Sequence, residues 1–163
     1  MHLMRPLALA GLLLLPLDSP AAPPGWWATE AVLDRHPAND FANANQGQAK
    51  HLTVAAIRAM DLYLGPLGGA GPQLHTLASR LRTEPTAQTD DYAPVTIGQL
   101  KMLVSPIYDR LLKIGYYGTP LASGTYPWVN SNLPANDFAL ANIGQLKNLF
   151  SFDFSYTLMS AGR

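Results

Sequence analysis

One twelve-residue signature occurs three times in this chain, and nothing else limits its fold as strongly. The first copy reads Asn39-Asp40-Phe41-Ala42-Asn43-Ala44-Asn45-Gln46-Gly47-Gln48-Ala49-Lys50. The second is Asp90-Asp91-Tyr92-Ala93-Pro94-Val95-Thr96-Ile97-Gly98-Gln99-Leu100-Lys101. The third is Asn136-Asp137-Phe138-Ala139-Leu140-Ala141-Asn142-Ile143-Gly144-Gln145-Leu146-Lys147. Asp40 and Asp91 are 51 positions apart, and Asp91 and Asp137 are 46 apart. A recurrence of this length marks a repeated supersecondary unit.

The second half of each copy is a helix start. Asn45, Thr96 and Asn142 are N-cap residues whose side-chain oxygens accept from orphan N–H groups. Gln48, Gln99 and Gln145 stand three residues on, where a glutamine reaches back to the cap amide and completes a capping box. Ala44/Ala49, Val95/Leu100 and Ala141/Leu146 occupy the two positions of a hydrophobic staple. Helices are therefore expected to begin near Gln46, Ile97 and Ile143. Gly47, Gly98 and Gly144 sit at the second helical position, where glycine costs about 1 kcal/mol against alanine. Their recurrence predicts that a Cβ there would collide with a neighbour. The expected neighbour is the Asp-aromatic-Ala segment of the same copy, with Phe41, Tyr92 or Phe138 buried beside its own helix start. Asp40, Asp91 and Asp137 would then face the positive end of that helix or the repeat lysines Lys50, Lys101 and Lys147.

Apolar spacing extends these starts into helices. The first carries Ala49, Leu52, Ala56, Ala59, Met60 and Tyr63, and stops at Gly65-Pro66. The second carries Leu100, Leu103, Val104, Ile107, Leu111 and Ile114, and ends at Gly115. Pro106 should kink or break it. In the third, Phe150, Phe152, Phe154 and Tyr156 alternate in a strand pattern, but equivalence with the other copies predicts helix to about Asp153. Two more helices are expected, from Trp26 to Leu33 and from Gln73 to Arg82. Tyr116 to Pro134 reads as loop, with Tyr126-Pro127-Trp128 as a packing anchor. The expected fold is mainly α: helix–loop–helix repeats, about two and a half units, joined by long Gly/Pro-rich loops. The units fall at 22–67, 68–115 and 116–154 within one domain over 22–163.

Residues 1–21 have the layout of a secretory signal peptide. His2 and Arg5 form a weakly basic start, Pro6 to Leu17 is apolar, and Ser19 and Ala21 are small residues at −3 and −1 of a cleavage point after Ala21. The apolar run is shorter than the roughly 20 residues of a membrane helix. The expectation is a secreted, periplasmic or surface protein without a membrane span after cleavage. The chain has 163 residues, no cysteine and a formal net charge of zero. Disulfides and thiolate metal sites are excluded, and no basic balance suits nucleic acid.

The residues quoted above resemble a family of uncharacterised secreted proteins typical of Verrucomicrobia. The likeness rests on Pro24-Gly25-Trp26-Trp27, on the Gly68-Gly69-Ala70-Gly71-Pro72 linker, on the three signatures and on Asn148-Leu149-Phe150-Ser151-Phe152-Asp153. It implies a module found in surface or secreted chains and brings no activity with it. A weaker similarity, by analogy of layout alone, is to S-layer homology modules, which come in threes and bind cell-wall polymers.

No catalytic constellation stands out. His36, His51 and His75 lack metal-ligand spacing, and Asp90-Asp91 lacks the spacing of a calcium loop. The two glutamates, Glu30 and Glu84, lie on different segments. No cofactor or metal is expected. Trp26, Trp27, Trp128, Phe41, Tyr92 and Phe138 read first as core anchors and second as a sugar-stacking surface. The Asp40, Lys50, Asp91, Lys101, Asp137 and Lys147 set is the candidate binding group. Together these features point to a non-catalytic module for interaction or display at the cell envelope, with an envelope polymer or protein as partner. The alternative is an envelope hydrolase with an unmarked carboxylate site.

Overall fold

Three short backbone segments bond to one another in a closed ring, and a helix leaves from each. The structure is a computed structural model, and it describes residues 24–30, 39–83, 91–121, 124–129 and 136–154. The expected signal peptide lies outside these residues. The chain is mainly helical. Its elements are α1 (Gly25–Thr29), α2 (Gln46–Tyr63), a 3₁₀ turn (Gly65–Leu67), α3 (Pro72–Thr83), α4 (Ile97–Lys113) and α5 (Ile143–Leu149). Among the described residues no strand forms, and none of the described helices is long and apolar enough to cross a membrane.

The helix starts near Gln46, Ile97 and Ile143 are the starts of α2, α4 and α5. Each is preceded by a cap in the extended region, and each carries a complete capping box. In α2 the Asn45 side chain accepts from Gln48 N at 2.8 Å, and Gln48 Oε1 accepts from Asn45 N at 3.0 Å. The staple residues Ala44, Val95 and Ala141, with Ala49, Leu100 and Leu146, are all buried. Gly115 follows the C-cap of α4 with φ of 79°, a left-handed turn that favours glycine and that sends the chain back so that Tyr116 N bonds Leu111 O.

The long helices bury one face against each other, α2 packing on both α3 and α4. Two tryptophans close the core at its other end. Trp26 and Trp27 on α1 donate from their indole nitrogens to Phe152 O at 2.8 Å and Phe150 O at 3.1 Å. Trp26 also stacks on Phe152, with centroids 5.4 Å apart. The first described segment is thereby fixed to the last. Trp128 stacks on Tyr126 and Tyr108, an anchor for the loop after α4.

One expectation fails here and another is narrowed. The third signature helix does not reach Asp153, because α5 ends at Leu149. Phe150, Phe152 and Phe154 are all buried. In a helix, residues two apart point about 200° away from each other, whereas in a more extended chain they share a face. Only the non-helical backbone puts all three rings in one core. The carbonyls so released are the ones that the two indoles bond. Of the kink or break expected at Pro106, no break occurs: α4 runs through it as one helix of 17 residues. One backbone donor is lost there, but buried Leu100, Val104, Ile107, Tyr108 and Leu111 hold both halves against the same core. Of the helix expected over Trp26 to Leu33, α1 forms to Thr29, and residues 31–33 lie outside the described set.

Candidate functional site: the signature ring and its turn tips

The candidate residues meet where the three signatures join. An α-helix leaves its first N–H groups without internal partners. Here the neighbouring signature supplies them. Gln46 N bonds Ala93 O and Gly47 N bonds Asp91 O, each at 2.9 Å, so α2 is completed by the second copy. Ile97 N bonds Ala139 O and Gly98 N bonds Asp137 O at the same length, so α4 is completed by the third. Ile143 N bonds Ala42 O and Gly144 N bonds Asp40 O, so α5 is completed by the first. A second cycle runs inside this one: Val95 N to Ala44 O, Ala141 N to Val95 O, and Ala44 N to Ala141 O. Isolated antiparallel bridges mark each junction: Asn45 with Pro94, Thr96 with Leu140, and Asn43 with Asn142.

A lysine and an aspartate seal each junction. Lys50 Nζ lies 2.7 Å from Asp91 Oδ1, Lys101 Nζ 2.6 Å from Asp137 Oδ1, and Lys147 Nζ 2.6 Å from Asp40 Oδ1. The carboxylates also sit beside helix N-termini, where negative charge is favoured. The structure therefore brings all six candidate charged residues together, but as three separate pairs.

The pairing runs between copies, and this corrects the expectation that each aspartate serves its own helix. Asn45 is extended, and Asn43 and Asn45 bridge to the third and second copies, so this stretch carries Asp40 away from the first turn of α2 by up to about 3.3 Å per residue. The glycines follow the same rule. A Cβ on Gly47 would lie 3.0 Å from Asp91 Cβ, one on Gly98 2.9 Å from Asp137 Cβ, and one on Gly144 3.2 Å from Asp40 Cβ. Close packing is the reason for glycine, but the neighbour is the next copy rather than the same one.

The aromatics correct the expectation of burial. Phe41, Tyr92 and Phe138 are 89%, 88% and 90% exposed. Their position in the backbone explains why. Ala42 N bonds Asn39 O, closing a tight turn, and Asn39 Oδ1 accepts from Phe41 N at 3.0 Å. The third copy repeats both bonds with Ala139 N, Asn136 O, Asn136 Oδ1 and Phe138 N. The aspartate and the aromatic are the two central residues of the turn. The aspartate reaches the neighbouring lysine, and the aromatic is left at the tip. An Asn–Asp pair before an aromatic and an alanine is itself a turn signal. The other aromatics of the candidate set behave as anchors: Trp26 and Trp27 are buried, and Trp128 is partly buried in its stack.

Other polar clusters are sparse. Asp61 on α2 accepts from Ala70 N at 3.0 Å and pairs with His75 Nε2 at 2.9 Å, beside a cavity of about 600 Å³ that Ser79 and Arg82 help to line. No hydrogen bond joins Ser79 to His75. Among the described residues no group of three or more His, Asp or Glu side chains is placed to hold a metal ion. Burial holds the Tyr108 hydroxyl well above its ordinary pKa, and a hydrogen bond to Asp109 raises that of Tyr126. Both tyrosines are packing residues that stay neutral at physiological pH.

No protein-family model matches the chain, and no curated protein or solved structure matches it.

Proposed function

We propose that this chain is a secreted, non-catalytic repeat module that acts in interaction or display at the cell envelope. In this reading residues 1–21 are a cleaved leader, and units 22–67, 68–115 and 116–154 are helix–loop–helix repeats, the third reduced to loop and helix. One observation carries the proposal: equivalent residues of the three signatures occupy equivalent structural places. An active site gathers different side chains from several elements into one cleft. Here each aspartate meets a lysine at its own junction, and the same exposed aromatic turn is presented three times. The three signature carboxylates are engaged in the junction pairs.

Mature protein mixed with purified envelope fractions tests the reading. It should sediment with the insoluble envelope and release no soluble fragments from it. Failure to sediment, or release of soluble saccharide or peptide over time, would overturn it.

A further inference from the structure

The three copies form an internal comparison of what the signature needs. Asp40, Asp91 and Asp137 recur and accept the glycine N–H and the lysine. Gly47, Gly98 and Gly144 recur because the neighbouring backbone comes within about 3 Å of where a Cβ would stand. Gln48, Gln99 and Gln145 recur in the capping boxes. The aromatic recurs as well, yet its ring stays about nine-tenths exposed in every copy. Burial does not account for it. By contrast, the exposed positions two residues further on hold Asn43, Pro94 and Leu140, with no residue type in common. A large apolar side chain kept at three exposed turn tips, beside positions that drift freely, marks a contact with something outside the chain.

We propose that Phe41, Tyr92 and Phe138 are three equivalent stacking sites for a neutral polysaccharide, a proposal that rests on the interaction reading above. Three features of each tip select this class. First, in the first and third copies the ring stands at a turn whose preceding residues are polar and exposed: Asn39 and Asp40, and Asn136 and Asp137. A protein partner requires a broad patch of about 800 Å² on each side, whereas a pyranose covers one aromatic plate with its C–H face. Second, each aspartate spends Oδ1 on a lysine and keeps a second carboxylate oxygen as an acceptor for sugar hydroxyls. Third, each Asp–Lys pair is neutral as a unit, the second signature adds only the acidic Asp90, and the chain carries no net charge, so a polyanion is not drawn in. One stacked sugar binds weakly. A polymer that engages several tips gains avidity without any new kind of contact.

Affinity electrophoresis in native gels tests this, with soluble β-glucan, mannan or xylan in the matrix and polygalacturonate as the anionic control. The samples are wild type, the single variants Phe41→Ala, Tyr92→Ala and Phe138→Ala, the triple variant, and Phe41→Trp. All the sites are exposed, so thermal unfolding should be unchanged in every variant. Retardation of the wild type by a neutral polysaccharide is expected. Each single truncation should weaken it by about tenfold, the triple variant should run as in an empty gel, and Phe41→Trp should behave as wild type. A triple variant retarded as strongly as wild type overturns the proposal. If no neutral polysaccharide retards the wild type, but the triple variant loses sedimentation with envelope, the ligand class is wrong and the interaction reading stands. Wild type that neither sediments with envelope nor is retarded in any gel overturns both.

Discussion

Lys147 and Asp40 are 107 residues apart in the chain and 2.6 Å apart in space. This pair closes the ring, since it joins the third signature back to the first. The contact is local in geometry and long-ranged in sequence, exceeded by the Trp26 and Trp27 bonds to Phe152 and Phe150. Both side chains are partly solvated, so the pair itself is weak. A double-mutant cycle with Asp40→Asn and Lys147→Met should give a coupling of about 0.2–1 kcal/mol, falling as salt is raised. A coupling well above this range would mean that the closure depends on the ion pair rather than on the backbone bonds beside it.

The glycines should respond in order of their clearances. Gly98→Ala places a methyl 2.9 Å from Asp137 Cβ and 3.0 Å from Asp137 O, the tightest of the three sites. Asp137 is held by the Gly98 N–H and by Lys101, so it has little freedom to move. The variant should lose about 1–3 kcal/mol in chemical denaturation. Gly144→Ala, with 3.2 Å of clearance, should lose less. In an open helix turn the same change would stabilise by up to about 1 kcal/mol, so a more stable Gly98→Ala protein would refute the packing account.

Thr96 anchors the one junction whose cap is not asparagine. Its hydroxyl accepts from Gln99 N at 3.3 Å, the longest of the three cap bonds. Thr96→Ala should cost about 1 kcal/mol, and Thr96→Asn should recover that or exceed it. Urea midpoints at constant slope would decide the matter.

Trp26 is buried, stacks on Phe152 and donates to its carbonyl. Trp26→Phe removes the donor to Phe152 O and leaves a void beside Phe152 and Phe154. The loss should be about 2–4 kcal/mol, from cavity formation together with an unpaired buried carbonyl. Thermal unfolding of this variant at a temperature close to that of wild type would show that the indole is not the clamp described here.

What was legible in the sequence followed from local chemistry. The caps at Asn45, Thr96 and Asn142 depend on residues three apart, and they could be read directly. The reason for glycine at the second helical position was also legible, as a steric demand. The partner was not. Whether Asp91 serves α2 or α4 depends on how far the extended residues before each cap carry the chain, and no pattern within a single copy records that. The aromatics failed for a related reason. Hydrophobicity alone reads Phe41 as core, whereas the Asx turn that Asn39 initiates decides that the ring stands outside. At the far end, Phe150, Phe152 and Phe154 had signalled the departure from helix by their alternation, and the stronger analogy with the other two copies overrode it.

Every junction in the ring is a head-to-tail joint, with an aspartate turn on one side and a helix start on the other. Such joints either propagate as an open series or come round to their beginning, depending only on the rotation between successive members. Here three members complete the circuit, and each donor edge is consumed by an acceptor edge of the same chain. Among the described residues of the ring no joint is left open, unlike a solenoid, whose terminal repeats must be made polar to stay soluble. A fragment cut after the second unit would regain both ends at once: an unanswered helix start at Ile97 and Gly98, and an unanswered turn at Asp40. Its copies would be complementary to one another, so the same joint that makes the intact protein self-contained would make the shortened one polymerise.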